Sequence, residues 1–334
     1  MKRNISLDFI RIVAIWIIVT FHFYVLLALK EGYANGDWGC VGTTIFFVLS
    51  GYVMRLCYKQ IPDIKKFYKK RFLSIYPMFW IAFFTAYFIH SLHISNFRYG
   101  GSLWKLLFSI IGIDNYLGFY QIPTYALVGE WFTFIIIILY VLYPMLNMLF
   151  NKKFLITTVI LIALYFINVF ADAFTVPDDA NLITGIFMFW IGMILEKYNQ
   201  ELKKHLFHII PFIMIALLIV FVKLPFFTLP WKNLLGICIF IILLIITSKL
   251  DGGGLFSRMI VFLSKVSYAI YLTHHTILYF MYARFGMYLI SGKRILFFYV
   301  GTLFIILLVS MALYYITELF IKYIPQRIEK RIKQ

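Results

Sequence analysis

The chain has 334 residues, of which 63% are hydrophobic, 20% aromatic and only 13% charged, more apolar surface than one water-soluble core can hide. That composition excludes a soluble globular protein. The formal net charge of +17 does not point to nucleic acid either, because the basic residues fall in short segments between apolar runs, where orientation in a bilayer explains them.

Taken in chain order, apolar stretches long enough to cross about 30 Å of hydrocarbon run near 7–29, 40–58, 74–92, 125–149, 153–172, 182–196, 206–222, 233–249, 259–282 and 295–318. The expected fold is an all-α integral membrane protein, a bundle of about ten transmembrane helices. Met1, Lys2 and Arg3 precede the first stretch as in a signal peptide, but Asp8 and Arg11 interrupt it and no small-x-small cleavage pattern follows, so it reads as a retained helix. No fixed-period repeat or long polar linker is present, and residues 1–334 are expected to form a single membrane domain with no appended soluble domain. Cys40, Cys57 and Cys238 are isolated thiols without ligand spacing, so neither a disulfide framework nor a metal site is expected.

Orientation follows from the basic residues. With the N-terminus cytoplasmic, the inner segments carry 21 lysines and arginines and the outer ones 8, an asymmetry that predicts both termini inside. The inner loop from about Lys59 to Leu73 is the most basic, with Lys65, Lys66, Lys69, Lys70 and Arg71 before the third span. The longest outer connection, about His93 to Thr124, contains LWKLLFSIIGI (103–113), too short to span and suited to lying at the interface or re-entering.

Ionisable side chains inside apolar spans are expensive and mark function. Arg11 and His22 lie in the first span. Eleven residues at about 100° each bring both to one helix face, about 16 Å apart along the axis. Arg11 falls near the inner end, and His22 falls in the outer half. Glu130, about five residues into the fourth span, and His274, about fifteen residues into the ninth, reach a similar level, so three ionisable groups from three spans share one depth. A carboxylate there needs a partner, and an imidazole can supply one. The plainer reading of each histidine is a hydrogen bond to a neighbouring backbone carbonyl, and His275 is an alternative to His274 as the residue facing the bundle. Asp8 and Arg11, at i and i+3, can be a local ion pair. On the inner side Arg55, Lys70 and Arg71 suit phosphates, or equally anionic lipid. Ser50 and Gly51 are small enough to admit a close helix or a slender ligand.

These residues resemble the acyltransferase 3 family of integral-membrane acyltransferases. The resemblance covers nearly the whole chain and rests on Arg11 and His22 with ten residues between them behind Leu7, Asp8 and Phe9; on FFVLSGY (46–52); on FYKKRFLSIYP (67–77), with Ser74 where a second arginine is common; on YALVGEWF (125–132), with Tyr125 in place of the usual tryptophan; and on SYAIYLTH (267–274). The resemblance implies a bacterial plasma-membrane enzyme that takes acyl-CoA, acetyl-CoA above all, as donor substrate with no tightly bound cofactor, and acylates a hydroxyl of an envelope glycan or related acceptor. His22 would act as general base oriented by Glu130, and Arg71, Lys70, Arg11 and Arg55 would hold the phosphates. His274, Tyr271 and Tyr125 would support substrate or transition state. Tyr116, Phe119, Tyr120 and Tyr125 near the outer mouth could stack on a sugar ring of the acceptor, the plainer reading being an interfacial aromatic belt. Membrane lipid and the acceptor are the expected partners, and the oligomeric state is open. The alternative class is a secondary transporter that uses the same His, Glu and Arg residues to bind a solute or relay protons.

Overall fold

The computed structural model describes residues 3–31, 38–171, 173–221, 228–250, 253–285 and 293–332. Among these the regular structure is helical throughout: α1 Ile5–Glu31, α2 Trp38–Cys57, α3 Ile64–His93, α4 Leu106–Ile111, α5 Asp114–Gly118, α6 Glu130–Lys152, α7 Phe154–Phe170, α8 Leu182–Lys197, α9 Asn199–Lys204, α10 Ile209–Phe221, α11 Leu229–Ile246, α12 Gly254–Phe285 and α13 Lys293–Ile332. Every apolar stretch expected to span coincides with one of these helices. Seven of them, α1, α2, α3, α6, α11, α12 and α13, are long and apolar enough to cross a membrane. Helices α7, α8 and α10 have 17, 16 and 13 residues, short of the roughly 20 that a perpendicular crossing needs. The chain is an all-helical, multi-pass integral membrane protein with seven candidate spans among the described residues.

Two boundaries differ from expectation. The third span begins ten residues early, because Asp63 caps α3 by accepting a hydrogen bond from the Lys66 amide at 3.0 Å. That same bond holds the Asp63 carboxyl below its usual range. The basic residues 65–71 therefore ride on the first two turns of α3 and not on a loop. Conversely, the fourth span starts late. Gly129, at φ +72°, interrupts the apolar run, and α6 begins at Glu130. Residues 125–128 precede the helix in irregular backbone.

The chain divides into two compact units. The first comprises Met1–Phe21, Tyr33–Pro62 and Ile135–Lys265, and the second His22–Gly32, Asp63–Phe134 and Val266–Gln334. In the first, α2 packs against α8 and α11, with α7 on α8 and α10 on α11. Close approach depends on glycine. A Cβ on Gly192 would land on the Val48 carbonyl oxygen, and one on Gly51 on the Phe189 carbonyl oxygen, so α2 and α8 meet backbone to backbone. Polar clasps tie the same helices. Asn233 of α11 accepts from Thr44 of α2 at 2.7 Å and donates to the Tyr165 hydroxyl of α7 at 2.8 Å. Trp190 of α8 donates to Thr158 of α7 at 3.0 Å.

In the second unit α3 packs against α13. The connection between α3 and α6 carries the short helices α4 and α5 and is pinned to α3 by its aromatic residues. Trp80 Nε1 donates to the Ile110 carbonyl at 2.8 Å and the Tyr76 hydroxyl to Ile111 at 3.3 Å. Leu103, Trp104, Leu107 and Ile111 of that connection stay exposed, an apolar surface consistent with a segment lying at the interface.

Gly192→Val is expected to lower stability by about 1–3 kcal/mol through overpacking, read as a lower Tm in detergent. An unchanged melt would show that α2 and α8 have slack at this crossing.

Candidate functional site

The second unit gathers three imidazoles. His22 comes from α1, while His274 and His275 are neighbours on α12. The His22 ring centroid lies 4.1 Å from that of His275 and 5.3 Å from that of His274, and the latter two are 4.4 Å apart. One ring nitrogen from each lies within 4.8 Å of the others. His274 is fully buried, and His22 and His275 are half-buried. The turn of α1 after His22 is held by Phe23, whose ring packs 5.8 Å from Phe298 and 4.8 Å from Tyr299 of α13.

His274 has a defined tautomer. Its Nδ1 lies 2.6 Å from the Tyr271 carbonyl oxygen and 3.2 Å from that of Ile270. A carbonyl only accepts, so Nδ1 carries the proton, and Nε2 of the neutral ring presents a lone pair. That Nε2 is buried and has no hydrogen-bond partner.

Residues 127–129 form the second component. Glu130 turns its carboxylate back onto them, with Oε1 accepting from the Leu127 amide at 2.8 Å and the Val128 amide at 3.1 Å. Its Oε2 is buried without a partner. The Tyr271 hydroxyl donates to the Gly129 carbonyl, and Thr276 Oγ1 donates to that of Leu127 at 3.4 Å. Gly129 is required twice over. Its positive φ favours glycine, and a Cβ there would stand 3.2 Å from the Tyr271 hydroxyl and 3.3 Å from His275 Cδ2. The loop thus fits against the face of α12 that carries the histidines.

This geometry redraws several expected roles. The convergence of His22 with His274 is present, but Glu130 accepts its hydrogen bonds from its own loop and none from His22. The carboxylate is linked to α12 through its loop, by Gly129 with Tyr271 and by Leu127 with Thr276. Tyr271 has its hydroxyl proton committed to Gly129, and neutral His274 has its proton committed to its own helix, so neither is a ready donor to an oxyanion. Tyr125 is fully buried. Its hydroxyl donates to Gly101 at 2.6 Å, its carbonyl accepts from Tyr99 at 3.0 Å, and its ring meets that of Tyr87. It is an anchor of the α3–α6 connection and not a stacking platform. Tyr120 remains exposed, while Tyr116 packs on Phe119 and Phe134.

The basic residues sort in the same way. Arg11 donates to Ser264 Oγ at 2.9 Å and lies 3.5 Å from Asp8, whose carboxylate also takes Arg3 at 2.6 Å and the Ser264 hydroxyl at 2.6 Å. The expected i, i+3 pair exists as part of this larger cluster. Arg55 is committed internally: it donates to Asn147 Oδ1 at 2.5 Å, covers the Phe150 ring at 4.6 Å and stands 3.9 Å from the buried Glu196, which also pairs with Lys59 at 3.0 Å. Asn147, Phe150 and Glu196 thus hold the Arg55 side chain against α6 and α8. Lys70 is exposed and Arg71 half-buried on the opening turns of α3. Basic side chains there oppose the positive end of the helix dipole, so helix stability does not explain them.

A family model described as an acyltransferase domain, acyltransferase 3, matches residues 4–315. The chain belongs to the acyltransferase 3 family. Comparison with curated proteins and with solved structures gives no match. Family membership decides between the two classes open from sequence: the protein is a membrane acyltransferase. The matched span contains His22, Glu130, His274 and His275 together with the loop that joins them.

One part of the candidate site was not singled out from sequence: Gly129, for which a glycine directly before the acidic residue that opens a helix is the available signal. A buried carboxyl outside the histidine cluster also went unnoticed: Asp114, almost fully buried at the start of α5. Asp114 accepts from Ser109 Oγ at 2.6 Å and from the Asn115 amide at 3.0 Å, and burial raises its carboxyl above the usual 3.8 despite both bonds. A carboxyl whose pKa is raised in the folded state is stabilising while protonated, and that contribution is lost as pH climbs from about 3.8 through the folded value. Asp114→Asn keeps a partner for Ser109 and removes the titration, so its melting temperature should vary less with pH across that window than the parent's. Parallel profiles would rule out Asp114 as a source of the slope.

Proposed function

We propose that this acyltransferase moves an acyl group, acetyl being the expected one, from cytoplasmic acyl-CoA to a hydroxyl of an envelope glycan or related acceptor, with His22 as general base. The enzyme would be a single domain of about ten spans in a bacterial plasma membrane, with both termini cytoplasmic, a reading supported by the distribution of its basic residues. The observation that carries the chemistry is the packing of the half-buried His22 against two further imidazoles in a chain of this family.

His22 takes the proton of the acceptor hydroxyl as its oxygen attacks the thioester carbonyl. The tetrahedral adduct then collapses, the C–S bond breaks, and the CoA thiolate recovers that proton. An imidazole suits both halves because its unperturbed pKa is near 6.5. The alternative, a transient acyl-histidine on His22, reaches the same products in two steps. Lys70 and Arg71 hold the donor's phosphates, an anion that would offset the dipole penalty of cations at the start of α3. Glu130 is a positioning residue: through the loop it shapes, it sets Tyr271 and the histidines of α12 beside His22.

His22→Ala should cut transfer by about 10²–10⁴-fold while the protein stays folded in detergent, measured with acyl-CoA and envelope acceptor. Retained turnover removes His22 from the mechanism, and solute uptake without donor consumption removes the acyltransfer reading itself. For Glu130 the comparison is between two variants. Gln retains an oxygen acceptor for Leu127 and Val128, so Glu130→Gln should preserve most of kcat, whereas Glu130→Ala should lose about tenfold or more in kcat with little change in the KM for donor. Equal losses in both variants would mean that the carboxylate's charge acts directly.

A further inference from the structure

We propose that His22, His274 and His275 form a three-nitrogen site for a divalent transition-metal ion, zinc fitting best, and that an ion bound there stops acyl transfer by occupying the nitrogen His22 needs as a base. The binding half stands on the arrangement of the three imidazoles. The inhibitory half rests on the proposed function above.

Among the described residues this is the only group of three histidine, cysteine or carboxylate side chains whose ligand atoms converge, all within 4.8 Å. A tetrahedral zinc with Zn–N bonds of about 2.0–2.1 Å separates its ligand nitrogens by about 3.4 Å, so binding requires the rings to turn and shift until nitrogens now within 4.8 Å reach that spacing. Three neutral imidazoles with one open coordination position make a donor set that zinc, cobalt and nickel accept and magnesium and calcium do not.

The second observation is the tautomer of His274. Its Nδ1 proton is held by the Tyr271 carbonyl, and the opposite nitrogen is a buried lone pair without a partner. A ligating histidine typically donates its other N–H to a carbonyl or carboxylate, which fixes the ring and raises its basicity. The support continues outward: the Tyr271 hydroxyl is bonded to Gly129, and the absence of a side chain on Gly129 leaves room for His275. Without a cation the cluster is costly, since an unpaired lone pair is buried and any two protonated rings at these distances repel.

The test uses full-length protein purified in detergent and stripped with EDTA. Titration with Co²⁺ should give the visible absorption of four-coordinate cobalt at one equivalent per chain, reversed by one equivalent of Zn²⁺. The signal should weaken at least tenfold in apparent affinity in His274→Ala and in His275→Ala, each checked for folding by its melt. A flat titration of folded wild-type protein overturns the site. An undiminished signal in both folded variants places the ion elsewhere and overturns it equally. Saturating Zn²⁺ should then lower wild-type transfer at least tenfold, with EDTA restoring it. Full transfer with zinc demonstrably bound overturns the inhibitory half alone. Transfer that requires zinc overturns both that half and His22 as base, while the site itself stands.

Discussion

A polar group carried into an apolar bundle has no water to fall back on, and each must be met by another group of the same chain or cost several kcal/mol. Much of this acyltransferase is organised by that demand. Asp8 is surrounded by Arg3, Arg11 and Ser264; Asn233 joins Thr44 to Tyr165; Arg55 and Glu196 share a pocket with Asn147 and Lys59. Each clasp links helices distant in sequence, so the polar residues specify which apolar faces meet where apolar packing alone is permissive. Glu130 Oε2 and His274 Nε2 are among the buried atoms left without a hydrogen-bond partner, and they lie at the two ends of one linked assembly.

That assembly joins the loop before α6 to the helix that carries two of the three histidines. Glu130 gathers two backbone amides, the turn it stabilises presents the Gly129 carbonyl, and Tyr271 closes on that carbonyl from the same helix that carries His274 and His275. The role is mechanical as much as electrostatic. A carboxylate that organises a loop can act on the helix beside it without touching the functional rings, which is how a site gains precision from its supporting shell. The lone pair left on His274 is a consequence of that fixed orientation, and the proposals of a base at His22 and of a metal site both rest on the three rings lying together.

The candidate site was legible in sequence in its membership more than in its bonds. His22 and Glu130 were conspicuous because charge and imidazole are rare in spans, and the early cation of the first helix was conspicuous for the same reason. Their hydrogen bonds were not legible. Depth along a helix follows from residue count, whereas the direction of a carboxylate depends on where the helix begins, and α6 begins at Glu130 and not five residues before it. Tyr125 and Arg55 show the converse. The sequence suggested substrate support for one and a phosphate contact for the other, and the bonds it could not show are those of the Tyr125 hydroxyl to Gly101 and of the Arg55 guanidinium to Asn147.

By itself the sequence determined that this protein is helical and lies in a membrane, and where its apolar stretches run, because hydropathy over about 20 residues and backbone self-satisfaction within a helix are local properties. Its motifs, in order along the chain, also carried its family. Only the tertiary structure decided which polar atoms meet. His22 and His275 are separated by 253 positions in the chain and by 4.1 Å between ring centroids, and an apolar surface looks the same in sequence whether it faces lipid or another helix. Contact between distant residues is set by the fit of whole helices, at places such as Gly51, Gly129 and Gly192 where a missing side chain lets another group approach.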